Sequence, residues 1–220
     1  MQSCEPTGCG VAKGAEFWNK IAKEYAQRPV EDPAAFERKI AFIKDLMTPD
    51  SIVLDVGCGT GSLALRLAQS GCEIHGVDFS EEMIRIARQK RDAAQAHNVV
   101  FHVGAFDDTF NAFEPGSLDG VGFHSLLHLV PQRKPILERA FSLLKPGGFL
   151  TSSTSCLGEA RIPFGPMLTV MRWIGKAPPV TILRSKALLE EFQAAGFEDA
   201  RIVDVGAKPT IAFIVAHKPG

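Results

Sequence analysis

From residue 51 to residue 155, short apolar runs of strand length alternate with longer segments whose apolar residues recur at helical spacing. That alternation is the strongest constraint on the fold. Strands joined through helices run parallel, and a parallel sheet needs helices on both faces to bury it. The strand runs are residues 51–56, 73–78, 99–104, 118–125 and 149–154. Between them fall a short helix stopped at Gly71, a helix opened by Ser80 with Glu81 and Glu82 in its first turn, and a helix over 131–144 ended by KPGG. A cap, early acidic residues and a terminal glycine are the usual signs of helix ends. A last helix is expected from Ser185, read as its cap, to Ala195, followed by closing strands in ARIVDVG and IAFIVAH. Residues 15–47 read as two helices broken near Pro29 and Pro33. With no strand partner of their own, they make residues 1–48 an N-terminal helical lid ahead of a main domain over 49–220.

The chain has 220 residues, 45% of them hydrophobic, and a formal net charge of −1. Such a chain can bury a sizeable core as one soluble domain, and it lacks the basic surplus that would point to nucleic acid. Cys4, Cys9, Cys58, Cys72 and Cys156 are odd in number and scattered, which fits a reduced, cytoplasmic setting better than a disulfide framework. Cys4 and Cys9 have no further ligand at zinc spacing, so no metal site is expected. The opening MQSCEPTGCG is not expected to be a signal peptide, and no apolar run reaches membrane-spanning length.

The stretch VLDVGCGTGSLAL carries Gly57, Gly59 and Gly61 between the first strand and its helix. A glycine loop there lets a ligand approach bare backbone N–H groups. It is not the dinucleotide pattern, because Ser62 stands where the last glycine should be, and no Gly-Lys-Ser/Thr follows for a triphosphate loop. Asp55, just before the loop, would repel a pyrophosphate but suits an ammonium group. Asp78, at the end of the second strand, can accept hydrogen bonds from both hydroxyls of a ribose. The ligand so described has a ribose, a positive end and no phosphate.

With VLDVGCGTG, GVDFSEEMIRIAR, LDGVGFHSLLHLV and LLKPGGFL in that order, the chain resembles the class I S-adenosylmethionine-dependent methyltransferases of the small-molecule type. The resemblance covers nearly the whole chain. It implies a doubly wound, seven-stranded, mostly parallel Rossmann-like sheet, order 3-2-1-4-5-7-6, with the last strand antiparallel. It also implies S-adenosylmethionine as methyl donor and S-adenosylhomocysteine as product. Carried over, Asp55, Gly57, Cys58, Gly59 and Gly61 form the loop facing the methionine part, Asp78 the ribose ligand, and Phe79 the apolar face under adenine, with Met83 counted beside it. Ala105 and Phe106 match the adenine loop, where the family usually has an aspartate; Ala105 is a departure, and Asp107 is a substitute. Phe123 and His124 end the fourth strand, whose backbone carbonyl typically receives the methionine ammonium. Tyr25 and Trp18, in FWNKIAKEY, match a helix that closes over the cofactor, although their spacing also suits ordinary helix packing.

For chemistry, His128 is the first candidate general base and His124 the second; a histidine in an apolar segment also reads as packed core. The fourth-strand loop has neither the Asn/Asp-Pro-Pro-aromatic nor the Pro-Cys signature of base-modifying enzymes, which favours a small-molecule acceptor. The insert at 157–183 reads as a substrate lid, with Phe164, Met167 and Trp173 lining an apolar pocket, Trp18 beside them, and Arg161 for an anionic group. Read otherwise, these residues simply cover the sheet, or the insert touches a membrane surface to reach a lipid or quinone. A nucleotide-dependent oxidoreductase and a non-catalytic cofactor-binding protein of the same fold are the alternative functions, and the chain is expected to be a monomer or homodimer.

Overall fold

The computed structural model describes residues 8–160, 178 and 180–220, with side chains from residue 14 onward. In chain order the elements are α1 (Gly8–Gln27), α2 (Pro33–Asp45), β1 (Ile52–Val56), α3 (Ser62–Leu67), β2 (Glu73–Asp78), α4 (Glu81–Ala93) and β3 (Val99–Val103). There follow β4 (Leu118–His124), α5 (Lys134–Leu143), β5 (Leu144–Ser155), α6 (Ser185–Ala194), β6 (Glu198–Ile202) and β7 (Ile211–His217). The strands form one seven-stranded sheet in the order β3-β2-β1-β4-β5-β7-β6. The first five pair in parallel; β7 runs antiparallel to both β5 and β6. This is the doubly wound architecture expected from the alternating pattern.

Successive residues on a strand face opposite sides, so each buried strand feeds two cores. Val53, Ile74, Phe101, Phe149 and Phe213 pack with α2, α3 and α4 through Ile40, Ile43, Leu63, Leu67 and Ile84. Leu54, Val121, Leu150 and Ile214 pack with α5 and α6 through Leu137, Leu143, Leu188 and Phe192. Thus α2 is not free of the sheet: Ile40 and Ile43 are buried, each worth roughly 1.5–3 kcal/mol over exposure. Its start is capped by Asp32, which accepts from the Ala35 N–H at 2.9 Å. In contrast, α1 lies on α4, where Ala22, Met83 and Ile86 form a small core of their own.

Three boundaries differ from the sequence reading. KPGG belongs to β5, which pairs at Leu118↔Leu144, bulges, and resumes at Gly120↔Phe149; Gly147, at φ +76°, makes the bulge. The sixth strand starts earlier and stops at Ile202, because Val205 turns into the core and its carbonyl accepts from Arg38 Nε at 2.6 Å. Ser185 is not the cap of α6: Arg184 holds that position, and the Ser185 hydroxyl donates to Glu159 Oε1 at 2.9 Å.

Candidate functional site

At the carboxyl end of β1 the chain folds back on its neighbour, with Gly57 N and Cys58 N both donating to the Val77 carbonyl at 2.8 and 3.1 Å. Gly57, Gly59 and Gly61 then take left-handed φ values of +69°, +54° and +74°. Space as well as conformation demands glycine. A Cβ on Gly57 would stand 2.9 Å from Leu126 Cδ1, and one on Gly61 2.5 Å from Phe101 Cζ. The loop is therefore pressed between the turn after β4 and the ring on β3. Cys58 points inward, its Sγ 2.8 Å from where a Gly76 Cβ would be, so this thiol fills space and offers the site only its backbone.

Two carboxylates flank the loop. Asp78 Oδ2 accepts from Gly59 N at 3.0 Å and Oδ1 from Ser80 N at 2.9 Å, which ties the loops after β1 and β2 together. Burial raises its pKa and those two bonds oppose the rise. A carboxylate has about four acceptor sites, so Asp78 keeps capacity for further donors. Asp55 is 3% exposed, and its Oδ1 has no hydrogen-bond partner among the described residues. Burial first, then the charge of Asp78, pushes its pKa up to about 8. A buried oxygen left without a donor is costly unless something else supplies one.

Helix α1 crosses this edge. Phe79 packs toward Gly14, the Tyr25 ring lies 3.7 Å from where a Gly59 Cβ would be, and Trp18 meets Tyr25 edge to face at 5.9 Å. Burial, then Asp78, raises the Tyr25 pKa, which puts the phenol in the field of the site. Asn19, missed in the sequence, is the clasp: its Oδ1 accepts from Ser80 Oγ at 2.6 Å and from Glu82 N at 3.2 Å. Met83 is 2% exposed and packed under Ala22 and Trp18, so it is core of the α1–α4 seam rather than a lining residue.

After β3, Gly104 and Ala105 border a cleft of about 270 Å³ shared with His102, Thr109 and Phe110. Asp107, the substitute named for the missing aspartate, holds a turn: its Oδ1 accepts from Thr109 N and Oγ1 at 2.9 and 2.6 Å. Phe106 sits 6.1 Å from Phe123, whose side chain is fully buried, leaving Phe123 only its backbone to offer.

The two histidines separate. His124 folds over Gly122, its Nε2 3.2 Å from Thr151 Oγ1, and burial with the nearby charge of Lys39 holds its pKa down to about 3. It is a neutral wall, poorly suited to take up a proton. His128 lies in a single 3-10 turn, Leu127–Leu129; its buried Nδ1 has no partner among the described residues, and burial lowers its pKa. It is a base without a task inside the fold. The ends of the insert are fastened beside it: Thr181 N donates to the His128 carbonyl at 2.8 Å, and Gly158 N to the Leu183 carbonyl at 2.8 Å. Arg161, Phe164, Met167 and Trp173 lie outside the described residues. Cys156 is buried, and burial pushes its pKa up to about 11, which disables it as a nucleophile.

A larger hollow of about 590 Å³ opens at the amino ends of β1 to β3, among Ser51, Glu73 and Asn98. Open α/β sheets bind ligands at the carboxyl edge, and the glycine loop with both carboxylates is there. Among the described residues no cluster of three or more His, Cys, Asp or Glu is placed to hold a metal, and no helix is long and apolar enough to cross a membrane.

The fold and loop thus define a Rossmann-like α/β domain with its glycine loop and two acidic side chains at the carboxyl edge of the first strands. A family model described as a methyltransferase domain matches residues 47–178, and the chain belongs to that family. It is 37% identical over 106 residues to the ubiquinone biosynthesis O-methyltransferase of Xanthomonas campestris pv. campestris strain B100, covering 48% of this chain and 44% of that protein. The protein of the same name from Idiomarina loihiensis is 29% identical over 170 residues, 76% of this chain and 69% of that one. The chain therefore matches less than half the length of the first of these relatives. Among solved structures, Haemonchus contortus phosphoethanolamine N-methyltransferase 2 in complex with S-adenosyl-L-methionine superposes with a TM-score of 0.69 at 19% identity, over 84% of this chain and 53% of that chain. A (4+2)-cyclase superposes at 0.74 and 19% identity over 95% and 97%. At such identities the likeness is one of fold.

Proposed function

We propose that this chain transfers a methyl group from S-adenosylmethionine to a hydroxyl of a small, partly apolar acceptor. The carrying observation is the buried, unpartnered Oδ1 of Asp55 beside a loop of left-handed glycines that Asp78 ties down. The site fits such a molecule: Asp55 would take its ammonium, Asp78 its ribose hydroxyls, and Phe79 and Phe106 the faces of its base. When bound, the sulfonium supplies an electrophilic methyl for in-line displacement. The protein's share is alignment, worth roughly 7 to 11 kcal/mol of barrier, and removal of one proton. His128, kept neutral by burial, is the group for that proton. A pyrophosphate would have to lie against Asp55, which argues against the oxidoreductase alternative.

A hydroxyl acceptor is favoured by the names of the two ubiquinone relatives. We assign α1 to the cofactor as its lid and the insert 157–183, hinged beside His128, to the acceptor, with peripheral membrane contact as the route to an apolar one. The protein is proposed to act in the cytoplasm as a monomer or homodimer. The test is formation of S-adenosylhomocysteine with a panel of phenolic and other hydroxyl acceptors, alongside calorimetry of S-adenosylhomocysteine with Asp78→Ala. The variant should bind at least about tenfold more weakly, since a hydrogen bond to a charged group is worth roughly 1.5–3 kcal/mol. Unchanged affinity would remove Asp78 from the site, and absence of turnover with every acceptor would favour the non-catalytic alternative.

A further inference from the structure

Among the described residues, three other than glycine take a left-handed backbone: Gln95 at φ +52°, Ser125 at +56° and Asp199 at +52°. A residue with a Cβ holds that conformation at a cost. Two of the three have a local reason. Gln95 follows α4, where Gln95 N donates to the Asp92 carbonyl and Ala96 N to the Arg91 carbonyl, both at 3.1 Å, the closure that puts a left-handed residue after a helix. Asp199 lies where the pairing of β6 with β7 shifts register between Glu198 and Arg201. Ser125 has neither reason. It stands between the end of β4 and the turn of His128. The left-handed positions of the neighbouring loop, Gly57, Gly59 and Gly61, are glycine, and serine does not ease the conformation as glycine or asparagine would.

The surroundings fix its place. Ser125 N donates to the Ser153 carbonyl at 2.8 Å, at the carboxyl edge of the sheet. The next residue, Leu126, is the one whose Cδ1 would stand 2.9 Å from a Gly57 Cβ, so Ser125 is one Cα step, about 3.8 Å, from the wall of the glycine loop. Leu127 is fully buried and pins the turn. His128 follows within roughly 11 Å of chain, and the insert is fastened there through Thr181 N. The Ser125 side chain itself is exposed, and its hydroxyl makes no hydrogen bond among the described residues. Backbone strain is thus carried by a polar side chain that the fold does not use. Strain kept where glycine would relieve it marks a side chain with a role outside the fold.

We propose that Ser125 Oγ hydrogen-bonds the hydroxyl end of the methyl acceptor and holds it between the glycine loop and His128. The assignment rests on the methyl-transfer reading above and adds a residue that selects the acceptor by its polar group. A hydroxyl both donates and accepts, so Ser125 can meet the acceptor oxygen while His128 takes the proton. Ser125 is a binding residue in this scheme and neither gives nor takes up a proton in the transfer.

The experiment compares Ser125→Ala and Ser125→Gly with the unaltered protein, on whichever hydroxyl acceptor of the panel above the unaltered protein turns over fastest. Ser125→Ala keeps the Cβ and the strain but removes the hydroxyl. Its KM for that acceptor should rise about three- to tenfold, the range for one lost hydrogen bond, with kcat and the affinity for S-adenosylhomocysteine within about twofold. Ser125→Gly should raise KM equally and also move the urea unfolding midpoint up by about 0.3 M, because glycine relieves the strain. An unchanged KM in Ser125→Ala overturns the proposal and leaves Ser125 a turn residue. Matching losses of acceptor and S-adenosylhomocysteine affinity would make it a support of the glycine loop and overturn the proposal as well. A urea midpoint that does not rise in Ser125→Gly overturns it too, by removing the strain. Absence of turnover by the unaltered protein with every acceptor would instead bring down the methyl-transfer reading, and this assignment with it.

Discussion

The carboxyl ends of β1 and β2 and those of β4 and β5 are neighbours in one sheet, yet they carry opposite kinds of polarity. The first pair ends in acidic groups, Asp55 and Asp78, placed so that burial first and then the charge of Asp78 raise the Asp55 pKa. The second ends in side chains that are themselves neutral, His124 and the buried hydroxyls of Thr151, Ser152, Ser153 and Thr154, with the Lys39 ammonium donating to Ser153 Oγ at 3.1 Å. Ser152 and Thr154 even satisfy each other, at 2.7 Å. Acidic groups are thus concentrated where a cationic ligand end is proposed. Beside it, burial lowers the His128 pKa. Low dielectric makes both choices consequential, since a misplaced charge there would be strongly felt.

The most forceful way to break this division is at His128. His128→Ala should lower turnover on a hydroxyl acceptor by about 10²- to 10⁴-fold, the usual worth of a positioned base. Its affinity for S-adenosylhomocysteine should stay within about twofold, because the contact to Thr181 uses the backbone carbonyl and survives. Steady-state kinetics with parallel calorimetry reads both. Full turnover in the variant would mean that the neutral half works by alignment alone.

The two halves also differ in how far the sequence discloses them. β2 runs over the residues read from the pattern, because its apolar run is bounded by Gly71 and ended by Asp78. The glycine loop is equally legible, since left-handed φ and close neighbours leave a residue-type signature. Asn19 and Lys39 leave none. Each acts across a tertiary contact, 61 and 114 residues away in sequence, and an asparagine or lysine on a helix face looks like ordinary solvated surface. Met83 shows the converse: it lies close to Asp78 in sequence, yet its side of α4 packs on Ala22 and Trp18, which sequence proximity does not decide. Strand β6 was displaced because Val203 and Val205 alternate like a strand, while Val205 leaves the sheet for the core beside α2.

A pH series sharpens the acidic half. The Asp55 carboxyl has a folded-state pKa of about 8 against an ordinary 3.8. Between those values the folded, ligand-free protein binds a proton that the unfolded chain has released, so its stability falls as pH rises through that window. Binding has the opposite trend. An incoming ammonium favours the carboxylate and expels the proton, so affinity for S-adenosylhomocysteine should rise with pH by up to about tenfold per unit and level off above about 8. Calorimetry in buffers of different ionisation enthalpy would count the proton. Asp55→Asn should flatten the pH dependence of binding, weaken affinity at high pH, and make the ligand-free protein more resistant to urea at alkaline pH. A pH-independent affinity in the unaltered protein would mean that Asp55 is already ionised and already paired.

The smallest effect should come from the clasp of α1. Asn19 Oδ1 receives the hydroxyl proton of Ser80, and Ser80 Oγ in turn accepts from Met83 N at 3.2 Å as the cap of α4. Ser80 is fully buried, so Asn19→Ala leaves its hydroxyl without that acceptor, a loss of about 1–3 kcal/mol in local stability. The seat of α1 weakens, and with it the hold on Phe79 and Tyr25 over the glycine loop. If α1 closes over the cofactor, affinity for S-adenosylhomocysteine should fall about three- to tenfold while KM for the acceptor changes little, and hydrogen exchange in α1 should quicken. A fall in thermal stability with unchanged affinity would make α1 part of the packing rather than a lid. A matching rise in acceptor KM would show that α1 serves both halves, and the division between them would have to be redrawn at Trp18.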